Sequence, residues 1–161
     1  MSSLGKAFRR LQEAVRLRIA QRHRRRARHA TFVGITGTSA KTTTTNLAAA
    51  VLRTQGRCEQ TRGYNGIRYV EDAIRATGPG HRGCVVELAA TGIGSLDEKV
   101  QLLAPDIAVL TVIGREHYKA YRSVEAVAAE KAKVALAPPA DGVAVLNRDD
   151  PLVRAIGERT T

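Results

Sequence analysis

The sequence predicts an α/β fold, a doubly wound and mostly parallel sheet preceded by a basic amphipathic helix. Three observations predict it. After residue 30, strand-length apolar runs alternate with helix-length segments, as in βαβ units. The runs at 85–89 and 107–113 are apolar on both faces, which suits strands of a parallel sheet. Residues 31–46 pass from an apolar strand through a turn of small residues into an alanine-rich helix.

The chain has 161 residues, enough for one domain with a core. Aromatics make up 4% and tryptophan is absent, so the core must be mainly Val, Ile, Leu and Ala. Over 4–22, Leu4, Phe8, Leu11, Val15 and Ile19 recur at spacings of four and three, which predicts an amphipathic helix. Arginine fills much of its other face and continues through Arg22, Arg24, Arg25, Arg26 and Arg28. Residues 1–30 carry ten Lys or Arg against one acid, Glu13, while 31–161 carry sixteen against fourteen. The net charge of +11 therefore divides into +9 and +2. This jump predicts a basic helical arm, 1–30, separable from a globular domain, 31–161. The arm is read either as a solvated helix lying on its own or a missing domain, or as a binder of an anionic surface, lipid or nucleic acid.

Strands are expected at 31–36, 84–89, 106–113 and 142–147, with a weaker one near 58–62. Helices are expected at 41–55, 95–104, 123–136 and 150–157. Gly78-Pro79-Gly80 and Pro138-Pro139 mark loops. Cys58 and Cys84 are expected as small buried apolar residues rather than a disulfide. No apolar run is long enough to cross a bilayer and no signal peptide is visible, so a reducing cytoplasm is the expected location.

The order strand, turn, Lys41, Thr42, helix builds a phosphate cradle of the P-loop type. Backbone N–H groups of the turn and of the helix start face an anion. A lysine adds charge at the outer phosphates, and the hydroxyl after it can hold magnesium. The general pattern has glycine at two positions occupied here by Ile35 and Ala40. If position 40 has positive φ, alanine strains the turn by roughly 1–2 kcal/mol. The other suspicious polar residues fall near the carboxyl ends of predicted strands: Glu87, His117, Asn147, Asp149 and Asp150. In an open α/β sheet that rim is where ligands bind. Glu87 interrupts an apolar run, which is costly unless it pairs with an arginine or holds a metal.

These stretches together resemble the central ATP-binding domain of the Mur ligase family, whose relatives include folylpolyglutamate synthetase and cyanophycin synthetase. The family turn Gly-Thr-x-Gly-Lys-Thr/Ser is matched by 37–42 except at Ala40. The segment 61–67, the Glu87 strand, 104–111 with Gly114-Arg115-Glu116-His117, and 145–151 resemble further family segments in the same order. The family more often has aspartate where Glu116 stands. The resemblance covers 31–157 and not the arm. It implies that Gly37, Thr38, Ser39, Ala40, Lys41, Thr42 and Thr43 cradle ATP. Asn65 would lie near its phosphates and Asn147 near its adenine. Thr42 and Glu87 would hold one magnesium ion, and His117 with Lys131 a second. Lys131 lies fourteen residues after His117, at the family's carbamylated lysine. Lys41, His117 and Lys131 would be the catalytic residues. By its local sequence alone, beside Glu130 and Lys133, Lys131 is a surface lysine.

The implied function is that of the ATP-binding part of an acid–amino-acid ligase working through an acyl phosphate, in cell-wall precursor synthesis. Its substrates would be a small-molecule acid and an amino acid. The ATP domain is expected to be incomplete at its C-terminus, and the family's C-terminal amino-acid-binding domain to be missing. The alternative is a nucleotide-dependent binding or switch module whose basic arm meets an anionic surface. Such modules usually carry a second lysine early in the turn, and 34–40 has none.

Overall fold

The computed structural model describes residues 3–61, 66–116 and 118–160. The elements are α1 Ser3–Arg26, β1 Thr31–Thr36, α2 Lys41–Arg53, β2 Arg57–Gln60, α3 Ile67–Ala76 and β3 His81–Glu87. They continue as α4 Asp97–Leu103, β4 Ile107–Leu110, α5 Tyr118–Tyr121, α6 Val124–Ala135, β5 Val143–Leu146 and α7 Pro151–Gly157. The five strands form one parallel sheet in the order β2-β3-β1-β4-β5. β1 is central, and the strand order changes direction around it, which opens a crevice at the carboxyl ends.

Alternation along the strands sends two sets of side chains to opposite faces. Phe32, Cys84, Val86, Ala108 and Leu110 enter the larger core, covered by the helices other than α2. Val33, Ile35, Val85 and Cys58 pack under α2 through Ala49 and Leu52. α2 lies over β1, β2 and β3. The same face of β5 therefore exposes Val143 and Val145. Both cysteines are buried and free, and burial pushes the Cys84 thiol up to about 12.

Each expected strand and helix after residue 30 is present, with ends shifted by a few residues. β3 starts earlier, at His81. β4 ends at Leu110, and 111–114 leave the sheet to bond the turn after β1. α3 was not expected, although Ile67, Val70 and Ile74 recur at helical spacing and bury their side against the core.

α1 lies on the domain that follows it: Ala20 in its C-terminal half, and Ala27 and Ala30 just after it, are buried in the main core, and Leu17 packs against that core. α1 lies on α3 and α4. Arg16 pairs with Glu71 on α3. Arg24 donates to the carbonyls of Leu103 and Ala104 at 2.7 and 2.6 Å and to Asp106 at 2.9 Å, and stacks on the Phe32 ring. The other Asp106 oxygen accepts from Phe32 N–H, so one arginine ties arm, α4 and β1 together. No helix among the described residues is long and apolar enough to cross a membrane.

Candidate active site

The turn 37–40 joins the central strand to α2. Gly37 has φ 149°, and a Cβ there would stand 1.9 Å from the Thr111 hydroxyl. Only glycine fits that approach. The Thr111 hydroxyl donates to the Ser39 carbonyl at 2.7 Å. Thr38 N–H donates to the Val112 carbonyl at 2.7 Å, and its hydroxyl accepts from Gly114 N–H at 2.9 Å. The segment after β4 thus fixes the turn from one side. Ala40 has φ 63° and ψ 4°, left-handed backbone at the start of α2. No side chain caps α2, so the N–H groups of its first turn point toward the rim without an intrahelical acceptor.

Lys41 folds back over the turn. Its ammonium donates to the carbonyls of Gly37 and Thr38 at 2.9 and 3.2 Å. The Thr42 hydroxyl donates to Glu87 Oε2 at 2.7 Å, and Glu87 N–H donates to the Thr61 hydroxyl at 2.9 Å. The charge that interrupts the apolar run is therefore held at the end of β3 beside the start of α2, with no arginine on it among the described residues.

Lys131 is not a surface lysine. It is 0% exposed, and its ammonium reaches the Gly37 carbonyl at 2.9 Å and Glu116 at 2.6 Å. Burial pushes it below the ordinary lysine range, and the Lys41 charge adds to this. The Glu116 carboxylate opposes both. Two lysines from distant parts of the chain thus converge on one backbone carbonyl. α6 is set by Glu130, which accepts from the N–H groups of Gly94 and Leu96 at 2.9 and 2.8 Å and from Lys133 at 2.8 Å. Burial alone would raise the Glu130 carboxyl. Lys133 and the two N–H groups outweigh it and leave it below the usual carboxylate range. So the lysine that pairs with Glu130 is Lys133, and Lys131 is turned inward to the sheet.

Asn147 follows β5 on the same rim. It is exposed, and its side-chain oxygen accepts from Asp149 N–H at 3.1 Å. Asp150 has a structural duty: it caps α7 through Leu152 and Val153 N–H and accepts from Ile113 N–H at 2.7 Å. Asn65 and His117 lie outside the described residues. Glu116 was not singled out as a site residue, although it precedes the singled-out His117. Beside Glu116 opens a cavity of about 290 Å³ lined by Arg115, Tyr121, Arg122, Ser123, Val124 and Glu125. Arg122 has φ 62°, a feature no sequence pattern signals for arginine.

The arrangement can hold an extended polyanion. Free helix-start N–H groups, Lys41 and a second buried cation at the turn favour phosphate oxygens, and the Thr42–Glu87 pair offers hard oxygen donors beside them. These properties define an α/β domain with an anion-accepting turn at its carboxyl rim. A family model described as "Mur ligase middle domain" matches residues 35–161, so the chain belongs to the Mur ligase family. It is 33% identical over 129 residues to a UDP-N-acetylmuramoyl-tripeptide–D-alanyl-D-alanine ligase of Synechocystis sp., across 80% of this chain and 28% of that one. Its structure is similar to MurF from Acinetobacter baumannii, with a TM-score of 0.84 at 23% identity, covering 90% of this chain and 32% of that one. It is also similar to MurF ligase from Thermotoga maritima in complex with ADP, with a TM-score of 0.81 at 26% identity, covering 91% and 34%. The chain spans less than a third of the curated relative's length.

Proposed function

We propose that this chain supplies the nucleotide-binding part of an ATP-dependent acid–amino-acid ligase acting on a cell-wall precursor. The observation that carries this reading is the meeting of Lys41, Lys131 with Glu116, and Thr42 with Glu87 around the Gly37–Ala40 turn. A relative named for UDP-N-acetylmuramoyl-tripeptide and D-alanyl-D-alanine supports an acid and an amine of that general kind.

ATP would lay its phosphates over the turn, exchanging the carbonyl contacts of Lys41 for phosphate oxygens. The acid's carboxylate oxygen would bond to the γ-phosphorus while the bond from that phosphorus to the β–γ bridging oxygen breaks, releasing ADP. The amine nitrogen would then attack the acyl carbon, phosphate would leave, and the amine proton would pass to solvent or a carboxylate. Lys41 neutralises charge that builds on the transferred group.

Magnesium fits the donor set. The Thr42 hydroxyl and the Glu87 carboxylate are hard oxygens 2.7 Å apart beside the cradle, and bound there the ion would neutralise phosphate charge. Lys131 fits carbamylation by CO2: its amine is desolvated, which favours the neutral nucleophile, and the proton released would pass through Glu116 to solvent. The carbamate and Glu116 would both be oxygen donors able to hold a second divalent cation, which would neutralise their charge. His117 would join that second ion, Asn65 would approach the phosphates and Asn147 the adenine. The switch-module reading leaves the buried Lys131–Glu116 pair without a role.

The test uses the full-length ligase with ATP, magnesium and a panel of acids and amines, following ADP release and amide product by mass spectrometry. Lys41→Ala should abolish both. Amide formation at the wild-type rate in that variant would overturn the assignment. The 161 residues alone, which span 28% of that relative's length, should release ADP slowly and form no amide, since an acyl phosphate open to bulk water hydrolyses.

A further inference from the structure

α1 carries two apolar faces, and its own domain uses only one. Leu17 and Ala20, with Ala27 just past the helix end, pack into the core, with Arg16 and Arg24 paired on the same side. The larger stripe faces away: Phe8 and Leu11 are each 62% exposed, Val15 46% and Ile19 39%. Arg18, Arg22, Arg25 and Arg26 flank or continue that stripe, all exposed and without an ion-pair partner among the described residues. The arm's one acid, Glu13, lies roughly 140° around the helix from Phe8 at 3.6 residues per turn, in the groove beside α3 that Arg16 and Arg68 line and that the edge of the stripe, Leu11 and Val15, also borders.

We propose that the outward face of α1 docks on an anionic lipid bilayer. The composition matches what an interfacial helix needs: bulky apolar side chains to enter the acyl boundary, between arginines that stay at the phosphate level. Other occupants match it less well. A nucleic acid would use the arginines and leave Phe8 and Leu11 in water. A second copy would set the same arginines against each other. This inference does not depend on the ligase reading.

The test is flotation of the full chain with phosphatidylcholine vesicles, with and without phosphatidylglycerol. The chain should bind the anionic vesicles only, and binding should fall as salt rises. Each of Arg18→Gln, Arg22→Gln and Arg25→Gln should weaken it about fivefold. Phe8→Ser/Leu11→Ser should weaken it about tenfold or more, with an unchanged urea midpoint because both residues are exposed. Equal binding to neutral vesicles, wild-type binding by the double serine variant, or no binding would each overturn the proposal. A dimer in sedimentation that the double serine variant dissolves, or tighter binding to a DNA duplex that it leaves unchanged, would overturn it in favour of those partners.

Discussion

At Ala40 a methyl group occupies left-handed backbone, φ 63°, in the turn that faces the phosphates. That conformation costs an alanine about 1–2 kcal/mol. The greater freedom of glycine in the unfolded chain cancels about half of any relief. Ala40→Gly should therefore raise stability in urea by about 0.5 kcal/mol and tighten ATP binding in calorimetry. Weaker binding would mean that the turn depends on the methyl group. Lys131 gives a second residue-scale prediction. Its pKa is lowered by folding, so the folded chain holds fewer protons than the unfolded one between the folded value and 10.5. Stability contributed at this site is lowest where both states are protonated and rises with pH across that window. Measured against Lys131→Met/Glu116→Gln, which removes both charges, wild-type stability should climb as pH is raised toward 10.5. A flat difference would show that folding leaves the pKa unmoved.

The β1–turn–α2 unit was legible because its apolar run, small residues and Lys-Thr step are contiguous in sequence. Glu87 was legible because a charge inside a buried strand demands a partner. The inward turn of Lys131 was not legible from the residues, since Lys131 and Lys133 both sit near Glu130 and only the tertiary position of α6 decides which pairs with it. α3 stayed unread, although its spacing was regular. α1 was legible as a helix, but the face it buries was not: Leu17 and Ala20 pack against the domain, while Phe8, Leu11, Val15 and Ile19 stay exposed. Arg24 should matter accordingly. It satisfies two carbonyls and one carboxylate across α1, α4 and the start of β4. Arg24→Ala should destabilise the fold by about 2–3 kcal/mol in urea unfolding. An unchanged midpoint would show that the arm is only laid on the surface.

Across the whole molecule, the turn, Glu87, Lys131 and Asn147 gather at the carboxyl rim of the sheet, while the arginine run from Arg22 to Arg28 leads into β1 at the amino ends of the strands. The rim is where an extended phosphate chain would lie, and its cations presently satisfy backbone carbonyls of the turn that would receive it. Calorimetric titration of the chain with ATP, with and without magnesium, and of Lys41→Ala under the same conditions, tests this most directly. The expected result is one site per chain, tightened by magnesium and weakened at least about tenfold by Lys41→Ala. Unchanged ATP affinity in Lys41→Ala, or no binding by the wild-type chain, would contradict the assignment of the turn as a nucleotide site.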